Sequence, residues 1–303
     1  MSDASFNSFE SGLEKIRSLE IQGAENIARF SLKLIRSLVL KYKDKNDLYS
    51  LLTTAKIKLF KTRPTEPCMR NSLNYVFLGL EASTISIQPK KIIERIDSTL
   101  EFLDKSEKYI SEIGARKIQN GMIIYTHCHS STVMSILKKA KDQKKEFVVH
   151  NTETRPRFQG RKTAKELADY GIKVNHFIDS AARFALKKAD MMLIGADALI
   201  ESRIFNKIGS EMFCEIAEKY DIPVFVCSTS WKYDPMARSG YEEVIEERSP
   251  DEVWEKPPSN VNIINPAFEK INTTLITAVI SELGILSPDI FFNEIREKYD
   301  WMR

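Results

Sequence analysis

Cys128 lies in a stretch, Gly121 to Ala140, whose pattern changes twice. Met122 to Tyr125 is a short apolar run of strand type and Thr126 to His129 is polar. Ser130, Ser131 and Thr132 then offer N-caps to a helix carrying Val133, Met134, Ile136 and Leu137. Strand, polar turn and helix N-terminus, in that order, form the place where open α/β sheets bind anions, because free N–H groups and the helix dipole point outward there. A thiol at that place is expected to have a lowered pKa and to be a candidate base or nucleophile. The plain alternative is a small buried apolar residue in a common α/β unit. His127 and His129 flank it, but no carboxylate or third ligand lies near them in sequence, so the spacing does not define a metal site.

Other polar clusters follow later strand-like runs. Asn151 to Arg161 (NTETRPRFQGR) holds Arg155, Arg157 and Arg161, whose rigid forks suit phosphate or carboxylate, or simply line a basic surface loop. In Asp179-Ser180-Ala181-Ala182-Arg183 the first two residues read as N-caps. In Ile194-Gly195-Ala196-Asp197 a carboxylate follows a buried strand behind two small residues. Burial there would raise its pKa and fit it to donate a proton, unless it serves loop N–H groups instead. Asn206-Lys207-Ile208-Gly209-Ser210 reads as the opening of a helix spanning Lys207–Tyr220, a second anion seat, and Lys232 is a further cation on the same edge.

The elements that must carry these residues fall into two kinds. Residues from about 8 to 114 have helical periodicity, interrupted at Ile21–Ala24 and at Thr62–Pro67, where Pro64 and Pro67 stop a helix. The charged face of a helix over Pro89–Ile113 carries both signs and reads as solvated or as a subunit contact. From Gly121 the rhythm becomes strand and helix in alternation. Strands are expected at Met122–Thr126, Glu146–His150, Val174–Ile178, Met191–Ile194, Val224–Cys227 and Val261–Ile264. Helices are expected at Thr132–Asp142, Thr163–Tyr170, Ser180–Lys187, Asn272–Leu283 and Pro288–Tyr299, with an acidic loop over Ser239–Pro258. The fold class is α/β, an N-terminal helical domain (1–115) followed by a Rossmann-like, mostly parallel sheet domain (116–303).

A net charge of +3 gives no nucleic-acid or membrane signal, so direct nucleic-acid partners are not expected. The four cysteines, Cys68, Cys128, Cys214 and Cys227, lack zinc-like spacing and read as free thiols of a reducing compartment. The N-terminal residues contain no apolar signal core and no run is long enough to span a bilayer, so a cytoplasmic location is expected.

The ordered motifs THCHSS (Thr126–Ser131), TETRPRFQGRKTAKEL (Thr152–Leu167), DSAAR (Asp179–Arg183), GAD (Gly195–Asp197) and NKIG (Asn206–Gly209) resemble those of archaeal ribose-1,5-bisphosphate isomerases. These belong to the superfamily of the alpha, beta and delta subunits of initiation factor two B and of methylthioribose-1-phosphate isomerase. The similarity extends to IQGA (Ile21–Ala24), RPT (Arg63–Thr65) and NPAF (Asn265–Phe268). It implies Cys128 as the proton-abstracting base and Asp197 as the acid. It implies phosphate contacts from Gln22, Gly23, Ala24, Glu25, Arg63, Ser130, Ser131, Thr132, Asn206, Lys207 and Lys232. Arg155 is added from its chemistry and position.

The resemblance further implies a phosphorylated pentose substrate, no metal or other cofactor, and a homo-oligomer, dimer or hexamer. The activity implied is conversion of ribose 1,5-bisphosphate to ribulose 1,5-bisphosphate in nucleoside monophosphate salvage. Gln22 departs from the arginine usual before the first glycine, Ala198–Phe205 lacks the usual glycine turn, and Ser228–Trp231 lacks an acidic residue. The rival expectation is a regulatory subunit that binds a sugar phosphate or nucleotide without turnover. Methylthioribose-1-phosphate isomerase is a third reading with the same chemistry.

Overall fold

The computed structural model describes residues 4–44, 47–80, 88–236 and 245–302. The chain forms two compact units. The first takes in residues up to Lys105 together with Trp231–Tyr233 and the segment from Tyr299; the second comprises Ser106–Ser230 and Asp234–Lys298.

The first unit is helical: α1 (Ala4–Arg17), α2 (Ala24–Tyr42), α3 (Leu48–Thr62), α4 (Pro67–Phe77) and the leading part of α5 (Pro89–Lys117). The breaks before α2 and α4 fall at the two interruptions that the sequence marks. Gly23 precedes α2 at φ 86°, a left-handed conformation that glycine adopts without a Cβ clash, and Pro67 starts α4 where no N–H is required. Ile27, Leu32, Ile35 and Leu38 form the buried stripe of α2. On its outer side Arg36 pairs with Asp97 at 2.5 Å, and Arg29 pairs with both Glu25 and Asp104 at 2.6 Å. The two late segments are held by rings and by one amide. Phe102 stacks on Trp231 with centroids 4.3 Å apart, and Trp301 meets Trp231 edge-on at 5.1 Å. The Asn71 side chain donates to the carbonyls of Trp231 (2.9 Å) and Tyr233 (2.7 Å).

The second unit is built on a seven-stranded sheet. Its elements are β1 (Ile123–Thr126), α6 (Ser131–Asp142), β2 (Val148–Thr152), α7 (Gln159–Asp169), β3 (Lys173–Phe177), α8 (Ala182–Leu186), β4 (Met191–Ile194), β5 (Ala198–Ile200), β6 (Arg203–Lys207), α9 (Ser210–Lys219), β7 (Val224–Cys227), β8 (Phe268–Asn272), β9 (Ala278–Ser281), β10 (Gly284–Leu286) and α10 (Pro288–Lys298). The strand order is β10-β9-β7-β4-β1-β2-β3, and every neighbouring pair is parallel except β9–β10. The central strands β4 and β7 are buried apolar runs, as a sheet covered on both faces requires. After β1 the chain adds strands on one side of it, then returns with β4 on the other. The switch point therefore lies between the carboxyl ends of β1 and β4, where doubly wound sheets open a crevice. A separate antiparallel sheet, β5-β6-β8, follows directly from β4.

Three expectations are corrected. Asn272–Leu283 is not a helix: it ends β8, makes a single 3₁₀ turn at Thr273–Leu275, and forms β9. Its threonines, isoleucines and valine are stiff at χ1 and pack better on a pleated surface than on a helix. Val261–Ile264 forms no strand. Lys207 does not open a helix; it closes β6, and α9 begins at Ser210 behind Gly209. The expected Ser239–Pro258 loop lies partly outside the described residues; its described part is irregular apart from an isolated bridge of Glu247 to Pro266 and a 3₁₀ turn at Pro250–Glu252.

α7 starts unusually close to β2. A Cβ placed on Gly160 would stand 1.7 Å from the Thr152 carbonyl oxygen, and the Asn151 amide donates to the Gly160 carbonyl at 2.7 Å. Gly160→Ala must therefore push α7 away from the strand end. We expect a loss of about 2–4 kcal/mol, because backbone rather than a flexible side chain has to move. Denaturant titration of the variant checks this, and an unchanged midpoint would contradict the close approach.

Candidate functional site

The site grows from the end of β1. Thr126 is the last residue of that strand, and Cys128 then takes φ 66°, a left-handed conformation that is uncommon outside glycine. Thr154, beyond β2, takes φ 61°, less usual still for a β-branched residue. Conformations of this kind cost on the order of 1–3 kcal/mol each and persist only where the surroundings hold them. Here they are held. The Cys128 N–H donates to Thr154 Oγ at 3.0 Å, and Thr163 Oγ donates to the Cys128 carbonyl at 2.8 Å. The Thr154 and Arg155 N–H groups donate to the two oxygens of Asp179 at 2.9 and 2.7 Å. Asp179, which the sequence suggests as an N-cap, thus holds the loop after β2.

His127 is buried, with Nε2 3.0 Å from the Ile208 carbonyl and Nδ1 2.9 Å from Thr152 Oγ. Burial lowers its pKa to about 4, so the ring is neutral at ordinary pH. A carbonyl only accepts, so the single ring proton sits on Nε2. His129 is likewise lowered to about 4 by burial, with Nδ1 3.0 Å from Thr163 Oγ. The two histidines flanking Cys128 are therefore weak bases engaged in holding loops.

Ser130 caps α6 by accepting from the Val133 N–H at 3.4 Å, which leaves Ser131 and Thr132 in the first turn with its outward N–H groups. A Cβ on Gly195 would lie 2.6 Å from Ser130 Oγ, so the end of β4 is packed against the start of α6. Two residues on, Asp197 is half-buried, its N–H donating to the Phe205 carbonyl at 2.8 Å. The hairpin β5–β6 then delivers Asn206 and Lys207, both buried. The Asn206 amide donates to Ser210 Oγ, and Lys207 Nζ stands 4.6 Å from the Phe268 ring centroid.

The lowered thiol pKa expected from a helix N-terminus is not found. Burial pushes the Cys128 thiol up to about 11; the Lys207 ammonium acts in the opposite direction, and the charges of Asp197 and Asp179 add to the rise. The thiol, the ammonium and the carboxylate therefore stand in one another's field. Arg155 is placed differently: its guanidinium donates to the Val253 carbonyl at 3.1 Å and stands 5.1 Å from the Phe158 ring centroid.

Within the helical unit a second group gathers around the buried Cys68. Its thiol is pushed to about 12 mainly by burial, and it feels Glu25, Lys232, Glu66 and Arg29. Arg63 pairs with Glu66 at 3.2 Å, both buried. Gln22 caps the chain locally, donating to the Leu19 carbonyl at 2.7 Å. Gly23 caps α2, whose first turn carries Ala24 and Glu25, and Glu25, Glu66 and Lys232 all lie within the electrostatic reach of Cys68. Glu66, Thr154, Thr163 and Asp179 were not singled out as binding or catalytic residues from the sequence. The only signal for them is their position inside or beside the TETRP, RPT and DSAAR motifs.

The β1/β4 switch point, with a thiol, a carboxylate, a buried ammonium and a helix N-terminus around it, marks the chain as a doubly wound α/β protein with a polar carboxyl-edge crevice. The chain belongs to the Initiation factor 2 subunit family, whose model matches residues 20–288. It is 36% identical over 301 residues to the ribose 1,5-bisphosphate isomerase of Pyrococcus furiosus, covering 95% of this chain and 93% of that one. It is also 36% identical over 295 residues to the enzyme of that name from Methanocaldococcus jannaschii, with 95% and 94% covered. Among solved structures it resembles translation initiation factor eIF-2B of Pyrococcus horikoshii (TM-score 0.81, 24% identity, 93% of this chain and 97% of that one). It also resembles the 5-methylthioribose 1-phosphate isomerase of the same organism (TM-score 0.78, 24% identity, 95% and 87%). Those two likenesses speak for the fold. The near full-length identity to the archaeal isomerases places the chain among the isomerases of the family. Among the described residues, no helix is long and apolar enough to cross a membrane, and no group of three or more potential ligands could hold a metal ion.

The thiol's environment gives a direct prediction. In the ligand-free protein Cys128 should react with iodoacetamide at a rate that rises steadily with pH up to about 11. Lys207→Met removes a charge that favours the thiolate, so the titration should move upward. A downward shift, measured by mass-resolved alkylation rates, would mean that Lys207 is not beside the sulfur.

Proposed function

We propose that this isomerase converts ribose 1,5-bisphosphate to ribulose 1,5-bisphosphate, with Cys128 as base and Asp197 as acid. The observation that carries the reading is the Cys128 thiol held at the switch point in the combined field of Lys207 and Asp197. The name carried by the archaeal relatives supplies the substrate.

The chemistry needs these residue types. The phosphate ester on carbon 1 keeps the sugar ring closed, so the ring must open by breaking the bond from carbon 1 to the ring oxygen. A base takes the proton on carbon 2 while the acid protonates the departing ring oxygen; the resulting enol then takes a proton at carbon 1 from the protonated base and returns its hydroxyl proton to the acid's conjugate base as carbon 2 becomes a ketone. Atoms and charge balance, and only protons move, so the route calls for no redox cofactor. A thiol near pKa 11 is almost wholly protonated at pH 7. Passing its proton to Asp197 leaves the net charge of the pair unchanged and produces both the base and the acid. The Lys207 ammonium favours the thiolate side of that exchange.

Phosphate groups would be held by the N-terminal turn of α6 (Ser130–Thr132) with Asn206 and Lys207, and by the Gln22–Glu25 turn with Arg63 and Lys232. Arg155 is a weaker member of this set, since Val253 and Phe158 already engage it. The reading places the enzyme in salvage of nucleoside monophosphates and makes it a homo-oligomer, a dimer or a hexamer.

Incubation of the purified protein with ribose 1,5-bisphosphate, followed by phosphorus NMR, should show the ketose. Cys128→Ser should abolish turnover, and Asp197→Asn should lower kcat by roughly a thousandfold or more while calorimetry still detects the ligand. Binding without turnover in the parent protein would favour a regulatory sensor. Turnover that survives Asp197→Asn would remove Asp197 as the acid.

A further inference from the structure

We infer that Thr154 and Thr163 are positioning residues for Cys128: between them, their hydroxyls hold its backbone N–H and its carbonyl, and so fix the direction of the thiol. The inference rests on Cys128 being the working group, as proposed above.

The geometry leads there by accounting for polar groups. At φ 66° the Cys128 backbone has left the β1 ladder, and its N–H and C=O need partners that no strand supplies. Each finds one threonine hydroxyl, at 3.0 and 2.8 Å. Both threonines are buried, at 0% and 2% exposure, so water does not compete for these bonds.

Neither threonine is itself loose. Thr154 is anchored through its N–H to Asp179, and its hydroxyl oxygen lies 3.3 Å from His127 Nδ1. That nitrogen carries no proton, because the ring proton is spent on Ile208, so Thr154 accepts from Cys128 on one side and can donate to His127 on the other. Thr163 donates to Cys128 and accepts from His129 Nδ1 at 3.0 Å, which fixes that ring's proton on Nδ1. It rides on α7, whose start is pressed to β2 at Gly160.

Hydroxyl groups are necessary to this arrangement, and the threonine shape alone is not. Valine would fill the same space, yet it would leave a buried N–H or C=O of Cys128 unpaired, and the loop would be free to turn the sulfur elsewhere. Misplacement of a reacting group by about an ångström is enough to cost on the order of a hundredfold in rate.

The test compares Thr154→Val, Thr163→Val and Thr154→Ser with the parent in kcat and KM for ribose 1,5-bisphosphate. It also compares the rate at which iodoacetamide alkylates Cys128 and the thermal midpoint. Each valine variant should lose roughly ten- to a hundredfold in kcat with KM changed by less than about threefold, and the serine variant should recover most of the loss. The alkylation rate of Cys128 should shift at least about fivefold in the valine variants. A lowered midpoint with parental kcat and parental alkylation would make both threonines structural only and overturn the inference.

If a valine variant does not fold, hydrogen exchange of the parent decides. The Cys128 amide must be protected as strongly as the β1 amides, and rapid exchange sinks the proposal. If the parent shows no isomerase activity but the valine variants still change alkylation, the positioning role stands and the functional reading falls. If the parent turns over and the valine variants match it in both assays, the reverse holds.

Discussion

The imidazole of His127 joins two loops that lie far apart in the sequence. Its Nε2 proton goes to the Ile208 carbonyl, next to Lys207, while its other nitrogen faces Thr152, which ends β2, and Thr154 just beyond it. The loop bearing the thiol and the strand end bearing the ammonium are thereby fixed to each other. In a neutral ring with its proton on Nε2, Nδ1 accepts from the hydroxyl of Thr152 or Thr154. Burial supplies that condition by holding the ring near pKa 4, well below ordinary pH. Position and protonation state thus have a single cause, the exclusion of water behind the β1 loop.

The same exclusion acts on the sulfur in the opposite chemical sense. It protects the thiol from being charged, and only Lys207 counters it among the groups that act strongly on Cys128 through charge. Asp197 is brought to the switch point by a different constraint: Gly195 lets the end of β4 press against Ser130, and no side chain would fit between them.

Much of this was legible in the sequence. The strands β1, β4 and β7 and the helix α6 stand out because apolar runs and N-caps obey local rules, and the first switch-point loop follows from them. The β5–β6 hairpin did not stand out. Its turn, Glu201-Ser202, carries neither glycine nor asparagine, so local rules favour Lys207 as a helix opener over a place in a strand. The β9 region carries competing signals: Leu275, Val279 and Leu283 recur at helical spacing, while the β-branched content that favours a strand is a weaker local signal. Thr154, Thr163 and Asp179 were hidden for another reason. Their roles are backbone contacts made across the sheet edge, and nothing in the chain on either side of a threonine shows which distant N–H its hydroxyl will meet.

The helical unit is not a contiguous piece of chain: it recruits Trp231–Tyr233 and the segment from Tyr299. A ribosome delivers its helices first, yet Lys232 and the rings that pack on Tyr75 and Phe102 emerge only after most of the sheet unit has been made. Domains usually fold in the order of their synthesis, but this one cannot finish early. Its aromatic surface must wait, partly bare, through most of translation. The nascent chain therefore passes through a stage in which it has a helical layer with an unfilled ring cluster, a natural client for chaperones that recognise exposed apolar surface.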